Sequence, residues 1–284
     1  MGRTVFVNGV YLDEADATIS VFDRGFLFGD GVYEVVPVMD GVMIDVAPFL
    51  ARLSSSLEKT GIAWPCSRED YLAMHEELIR RNNIVDGLVY SQVTRGVAER
   101  DFAFPKDTAP TLMAFTQVKK QRKTPLDETG VEIVTVEDIR WKRRDIKSIS
   151  LLAQCMAKQA AIEKGGFEGW MTEDGFVTEG TSSSALIVRD GVLITRNLSN
   201  GILPGIRRKL ILQLARDHQI SVEERPFSVA EALEADEALM SSASVSVLPV
   251  VKLDGKVIGD GKPGPVFKKL RLMYLDNARK TAGI

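Results

Sequence analysis

Histidine and cysteine are scarce in this 284-residue sequence, with two of each. Cys66 and Cys155 lie far apart with no CxxC pattern, and no two histidines stand at ligand spacing. Neither a disulfide framework nor a zinc site is therefore expected, and both thiols read as buried. His75 and His218 fall in helix-like segments, YLAMHEELIRR and LILQLARDHQ, where packing or surface roles are the ordinary ones. Any catalysis has to rest on other groups.

Excess positive charge is also missing. A formal net charge of -3 and a pI near 5.6 give no field to attract nucleic acid or anionic lipid. No apolar run reaches the roughly 18 residues of a membrane span, and the opening MGRTVFVNGVYLDEAD has no uninterrupted apolar core. A cytoplasmic protein is expected. The GxGxxG and GxxxxGK[ST] phosphate fingerprints are absent, and so is the even βαβ alternation of a doubly wound nucleotide fold.

What is present is ordinary globular material, 45% hydrophobic and 26% charged, long enough for two domains. Asn8-Gly9 in VFVNGVYL and Asp40-Gly41 in EVVPVMDGVMI predict hairpins. Two helices follow: APFLARLSSSLEKTGI, with Pro48 near its start and Gly61 at its end, and SREDYLAMHEELIRR, capped by Ser67. Strands GLVYSQVTRG and TLMAFTQV close this part. KKQRKTPLDETG has no apolar periodicity, so the division predicted is a small N-terminal α/β domain over 1–118, a linker over 119–128 and a larger domain over 129–284.

The second half starts with strand EIVTVEDI and a helix from about Ser150 to Lys164. Asp174-Gly175 and Asp190-Gly191 mark turns, a helix runs from about Ile206 to His218, Ser228 and Glu231 form a capping-box pattern, and Lys268 to Lys280 reads as a closing helix. The fold class is α/β of the α+β type.

Three stretches carry candidate chemistry. EDIRWKRRDIKSISLLAQ places Arg140, Lys142, Arg143, Arg144 and Lys147 within eight positions. The four outer charges read as solvated or paired with Glu137, Asp138 and Asp145. Lys147 instead stands between Ile146 and Ile149, ahead of a helical face of Leu151, Leu152, Cys155 and Met156. Desolvation penalises a charged amine, and a neutral amine attacks carbonyls; the competing reading is a lysine whose head simply reaches water. VTEGTSSS joins the carboxylate Glu179 to short hydroxyl donors, which suits a polar cradle or a surface loop. In SNGILPGIRRKL, Gly205 precedes a helix whose first N–H groups, at Ile206 and Arg207, can receive a phosphate.

Taken together, DRGFLFGDGVYEVV at 23–36, TRG at 94–96, DIRWKRRDIKS at 138–148, VTEGTSSS at 177–184, ILPGI at 202–206 and DGKVIGDGKPG at 254–264 resemble the class IV (fold type IV) pyridoxal-phosphate aminotransferases, most closely the D-amino acid transaminases. The resemblance spans nearly the whole chain. It implies a C-terminal domain with a barrel-like sheet, pyridoxal 5'-phosphate between the two domains, a homodimer, and ping-pong transfer from a D-amino acid such as D-alanine to a 2-oxo acid such as 2-oxoglutarate.

By that resemblance Lys147 is the lysine that holds the cofactor as an internal aldimine, and Glu179 the carboxylate at the pyridine nitrogen. Arg52 and the N–H groups of Ile206 and Arg207 contact the phosphate, Leu203 packs on the ring, and Arg140 and Ser183 line the pocket. The family often has threonine where this chain has Arg207 and Ala243, and Ser242 and Ser244 are placed to compensate. Tyr33 and Arg100 grip the substrate carboxylate, Arg100 from the neighbouring subunit, with Val35 on the same strand as Tyr33. Phe102 stands where the best-known D-amino acid transaminases have histidine. An (R)-selective amine transaminase, a branched-chain amino acid transaminase and an aminodeoxychorismate lyase are the same-scaffold alternatives. A nucleic-acid-binding protein using KKQRK and RWKRRDIK is the alternative from another class, and the acidic pI opposes it.

Overall fold

The computed structural model describes residues 2–119 and 124–283. Of the expected linker, residues 120–123 lie outside the described residues, and with them most of the KKQRK run. The chain forms two compact units: Met1–Lys120 with Ile146–Ser150 and Arg279–Ile284, and Gln121–Asp145 with Leu151–Ala278. The five residues around Lys147 thus group with the N-terminal unit.

The first unit contains β1 (Thr4–Val7), β2 (Val10–Asp13), α1 (Arg24–Phe28), β3 (Gly31–Met39), β4 (Val42–Met43), α2 (Val46–Thr60), α3 (Arg68–Arg81), β5 (Gly87–Thr94) and β6 (Thr111–Val118). The strands make one antiparallel sheet in the order β2-β1-β6-β5-β3-β4. Strand alternation gives this sheet two different faces. Val32, Glu34, Val36, Val89, Ser91 and Val93 are buried on one, where Phe49, Leu53 and Leu57 of α2 and Tyr71, Met74 and Leu78 of α3 also lose their exposure. Tyr33, Val35, Tyr90 and Gln92, on the other, are half-buried. Ser67 caps α3 as expected, accepting from the Asp70 N–H at 3.0 Å. The five-residue α1 was not anticipated, being too short for periodicity; Asp23 caps it, accepting from the Gly25 N–H at 2.8 Å.

The second unit contains α4 (Leu126–Thr129), β7 (Val131–Glu137), α5 (Leu152–Glu163), β8 (Glu168–Glu173), β9 (Phe176–Gly180), β10 (Ser184–Arg189), β11 (Val192–Thr195), α6 (Ile206–Asp217), β12 (Val222–Glu224), α7 (Val229–Leu233), β13 (Glu237–Ser242), β14 (Ser246–Leu253), β15 (Lys256–Val257) and α8 (Pro265–Ala282). Its sheet runs β12-β11-β10-β13-β14-β7-β8-β9, with β15 on β14. Parallel pairs β14–β7, β7–β8 and β11–β12 sit among antiparallel ones. The sheet curls so that its last strand, β9, returns against β10, around a core that includes Ile133, Trp170, Val177, Ile187, Phe227 and Leu253.

Several expectations need correction. In α5 the buried residues are Ala157 and Ala161, whose small side chains let the helix lie close to β7 and β8. The larger apolar residues of the helical face that follows Lys147 are exposed, Leu152 at 75% and Met156 at 55%. Neither thiol is buried: Cys66 is half-buried and Cys155 exposed. The Ser228 hydroxyl accepts from the Glu231 N–H at 3.0 Å, but no reciprocal box forms, because the Glu231 carboxylate is drawn into an ion pair with Arg225. The last helix begins at Pro265 rather than Lys268, its first turn held by Glu237, which accepts from the N–H groups of Val266 and Phe267 at 2.8 Å each.

Candidate active site

In the first unit, β4 pairs with β3 only at Val38 and Met39, which leaves the beginning of β3 open along that edge. The Lys147 segment takes this edge: the Tyr33 N–H donates to the Lys147 carbonyl at 3.0 Å and the Ile149 N–H to the Gly31 carbonyl at 3.1 Å. Gly31 permits the approach, since a Cβ there would sit 2.8 Å from the Val93 carbonyl oxygen and 2.9 Å from Ile149 Cδ1. The Lys147 N–H also donates to Ser56 Oγ at 3.2 Å.

This pairing puts the Lys147 ammonium 4.1 Å from the centre of the Tyr33 ring, a cation–π distance. Tyr33 stacks on Tyr90 at 5.3 Å, and Tyr90 on Phe115 at 4.9 Å. Tyr90 donates to Gln92 Oε1 at 2.9 Å, and burial pushes its phenol well above the ordinary value. Val35 lies on the same face as Tyr33, two residues on. Lys147, Tyr33 and Val35 are therefore brought together, with Tyr90 and Gln92 as neighbours that no sequence motif marks.

On the opposite face, Arg52 donates from Nε and Nη2 to the two Glu34 oxygens at 2.6 and 2.8 Å. The Glu34 side chain is fully buried and that of Arg52 is 10% exposed. Glu34 carried a signal that was missed: it occupies the buried-parity position between Val32 and Val36, where a carboxylate requires a partner.

Arg100 and Phe102 stand apart from this group. Both are exposed, with the Arg100 guanidinium 5.5 Å from the Phe28 ring and 5.6 Å from that of Phe102. Beside them the DRG and TRG motifs do structural work. Asp23 accepts from Thr94 Oγ1 at 3.0 Å, and Asp30 receives both Arg24 and Arg95 at 2.8 Å.

In the second unit, Glu179 near the end of β9 is buried. It contacts Arg140 Nη1 and accepts from the Leu203 N–H at 3.2 Å on each oxygen. Burial pushes its carboxyl above the ordinary value, against the pull of Arg140 and the Leu203 N–H. Arg140 in turn donates from Nε and Nη2 to Asp138 at 2.9 and 2.7 Å. The Ser183 hydroxyl is turned toward Glu168, donating at 2.5 Å, and Ser182 Oγ donates to the same carboxylate at 3.0 Å. Glu168, 15 residues before Ser183, had no local sequence signal.

Gly205 caps the twelve-residue α6 without a side chain, so the positive end of the helix dipole is not covered by its own cap. Ile206 and Arg207 are buried there, with Arg207 Nε donating to the Tyr274 hydroxyl at 3.1 Å. A Cβ on Gly205 would lie 2.6 Å from Ser184 Oγ, and Ser184 is in register with Ser241. The adjoining turn carries Ser242, Ala243 and Ser244, the two hydroxyls 3.2 Å apart. Ser241 Oγ and Thr181 Oγ1 are buried without a hydrogen-bond partner among the described residues. A bare helix N-terminus beside hydroxyls suits a phosphate, and a buried carboxylate suits a cationic ring nitrogen; donors at one end and an acceptor at the other fit pyridoxal phosphate. Among the described residues no cluster of His, Cys, Asp and Glu forms a metal site.

Residues 31–253 match the profile of the amino-transferase class IV family. A D-alanine aminotransferase of Staphylococcus aureus is 40% identical over 270 residues, which span 94% of this chain and 95% of the relative. One from Bacillus licheniformis is 37% identical over 268 residues, 94% of each chain. Among solved structures, the branched-chain amino acid aminotransferases of Escherichia coli and of a T.th. strain, the latter with pyridoxamine 5'-phosphate, each superpose with a TM-score of 0.91. They are 22% and 21% identical, with 98% and 100% of this chain and 95% of each of theirs covered, and they share its fold. With 223 consecutive residues matched and relatives aligned almost end to end, this chain belongs to the class IV amino-transferases.

Proposed function

We propose that the chain is a pyridoxal-phosphate-dependent D-amino acid transaminase, moving the amino group of a donor such as D-alanine to a 2-oxo acid such as 2-oxoglutarate in alternating half-reactions. The observation that carries this reading is the 40% identity to a D-alanine aminotransferase over 94% of the chain. When bound, the cofactor supplies an electrophilic carbon for the amine and a cationic ring that accepts the electron pair left at the substrate Cα.

The chain's own residues do the rest. Lys147 anchors the cofactor through its amine and then carries the proton to and from the substrate Cα, with the Tyr33 ring packed 4.1 Å from that amine to direct it. Glu179 holds negative charge for the ring nitrogen, with Arg140 and the Leu203 N–H fixing its oxygens. Arg52, the N–H groups of Ile206 and Arg207, Ser242 and the backbone of Ala243 hold the phosphate, and Ser183 and Leu203 border the ring. Tyr33, Val35, Arg100 and Phe102 receive the substrate, its carboxylate drawn to Arg100.

Arg100 reaches that carboxylate from a second copy in a homodimer. Exposure of Phe102 at 79%, against Arg100, and of Phe104 at 64%, two residues further along the chain, supports this, because such aromatic rings are more stable covered. A cytoplasmic location completes the proposal; among the described residues no helix is long and apolar enough to cross a membrane. Initial rates with 2-oxoglutarate and D-alanine, L-alanine, L-leucine or (R)-1-phenylethylamine test the reading. Turnover of D-alanine well above the others is expected, and preference for L-leucine or the arylamine would overturn it.

A further inference from the structure

Arg140 reaches two carboxylates by different edges of its guanidinium. Nε and Nη2 grip the two oxygens of Asp138, so only Nη1 is directed to Glu179. Asp138 is itself immobilised. Its side chain is fully buried, Thr178 Oγ1 donates to its Oδ2 at 2.6 Å, and Arg144 Nη1 lies 3.2 Å from the same oxygen. Arg144 extends the bracket: it pairs with half-exposed Glu173 at 2.9 Å, beside which exposed Lys142 stands at 3.9 Å. Its N–H donates at 2.9 Å to the carbonyl of Asn200, in the loop leading to Leu203, whose own N–H meets Glu179.

The grip matters because a guanidinium frequently pairs with a carboxylate through two parallel N–H bonds, a stronger hold on the carboxylate than one N–H makes. Held side-on by Asp138, Arg140 orients Glu179 through one N–H and leaves part of its charge unspent. Burial would raise the Asp138 carboxyl, but Arg140, Thr178 and Arg144 bring it below the ordinary value, so the grip is a charged one.

We propose that Asp138 is a positioning residue that restricts Arg140 to a single N–H on Glu179 and so reserves the Glu179 charge for the protonated ring nitrogen of the cofactor. This rests on the reading of Glu179 and pyridoxal phosphate given above. In an Asp138→Asn protein the amide offers only one acceptor, Arg140 turns toward Glu179, and the ring nitrogen loses its counter-charge.

The test is nitrogen NMR of wild type and variants reconstituted with pyridoxal phosphate labelled with 15N at the ring nitrogen, together with kcat and KM for D-alanine. Wild type is expected to give the signal of a protonated ring. Asp138→Asn is expected to move it toward neutral pyridine and to lower kcat by roughly tenfold or more while KM changes less than about threefold. Asp138→Glu is expected to restore much of both. Thr178→Val, which removes one hydroxyl bond and leaves the charge, is expected to shift the signal less in the same direction, and it serves if Asp138→Asn does not fold. A ring signal unmoved in every folded variant, even with stability lost, would reduce Asp138 to a structural role and overturn the proposal. Wild-type protein that takes up no pyridoxal phosphate, or holds it with a neutral ring, would instead refute the underlying reading and the proposal with it.

Discussion

Lowering the pH titrates one group whose energetics can be worked through in detail. His75 is completely buried in α3, its ring 4.6 Å from Tyr71 and 5.5 Å from Phe49. Its Nδ1 donates to the Tyr71 carbonyl at 2.7 Å, and Nε2 has no partner among the described residues. Protonation would place an N–H at Nε2 with nothing to receive it. Burial accordingly pushes the imidazole down to about 4 from its ordinary 6.5. Between those values the unfolded chain binds the extra proton and the folded one refuses it, so stability falls as the pH drops through that interval. From about pH 7.5 to about pH 5 this one group should remove about 2 kcal/mol. Urea unfolding of wild type and of the non-titrating His75→Gln protein at both pH values isolates it. Wild type should lose about 2 kcal/mol more than the variant, and equal losses would mean that His75 takes up its proton as readily in the folded protein as in the unfolded chain.

Three further outcomes follow from the geometry. Glu34→Gln leaves Arg52 buried without its carboxylate and should destabilise the protein by about 3–5 kcal/mol, read as a lower urea midpoint; a midpoint unchanged would mean the pair is hydrated. Gly31→Ala puts a methyl group against the Val93 carbonyl and Ile149, so the Lys147 segment must shift; activity should fall further than melting temperature, and the reverse order would speak against a precise seat for Lys147. Lys147→Ala should remove essentially all turnover while circular dichroism stays native, whereas near-normal activity would remove Lys147 from the chemistry.

Local patterns announced much of this molecule. Asn8-Gly9 and Asp40-Gly41 adopt positive φ at hairpin turns, as those dipeptides favour without help from distant residues. Ser67 caps its helix for the same local reason. The charge network is harder to read, because its partners are remote in sequence. Glu34 and Arg52 are 18 residues apart, Glu179 and Arg140 are 39 apart, and only the folded strands bring them together. The α5 helix misled in a different way. Its strongest apolar stripe, Leu152, Cys155 and Met156, is exposed, because Ala157 and Ala161 allow the closer packing on β7 and β8. Periodicity identified the helix, and side-chain size decided which face went inward.

Cofactor, half-reaction and stereochemistry are read together in the visible absorption of the purified protein loaded with pyridoxal phosphate, before and after D-alanine alone, with L-alanine as control. For a D-amino acid transaminase, a yellow band is expected that D-alanine bleaches and L-alanine leaves in place, with pyruvate formed in step. A band bleached by L-alanine but untouched by D-alanine, or no band after loading, would contradict that reading.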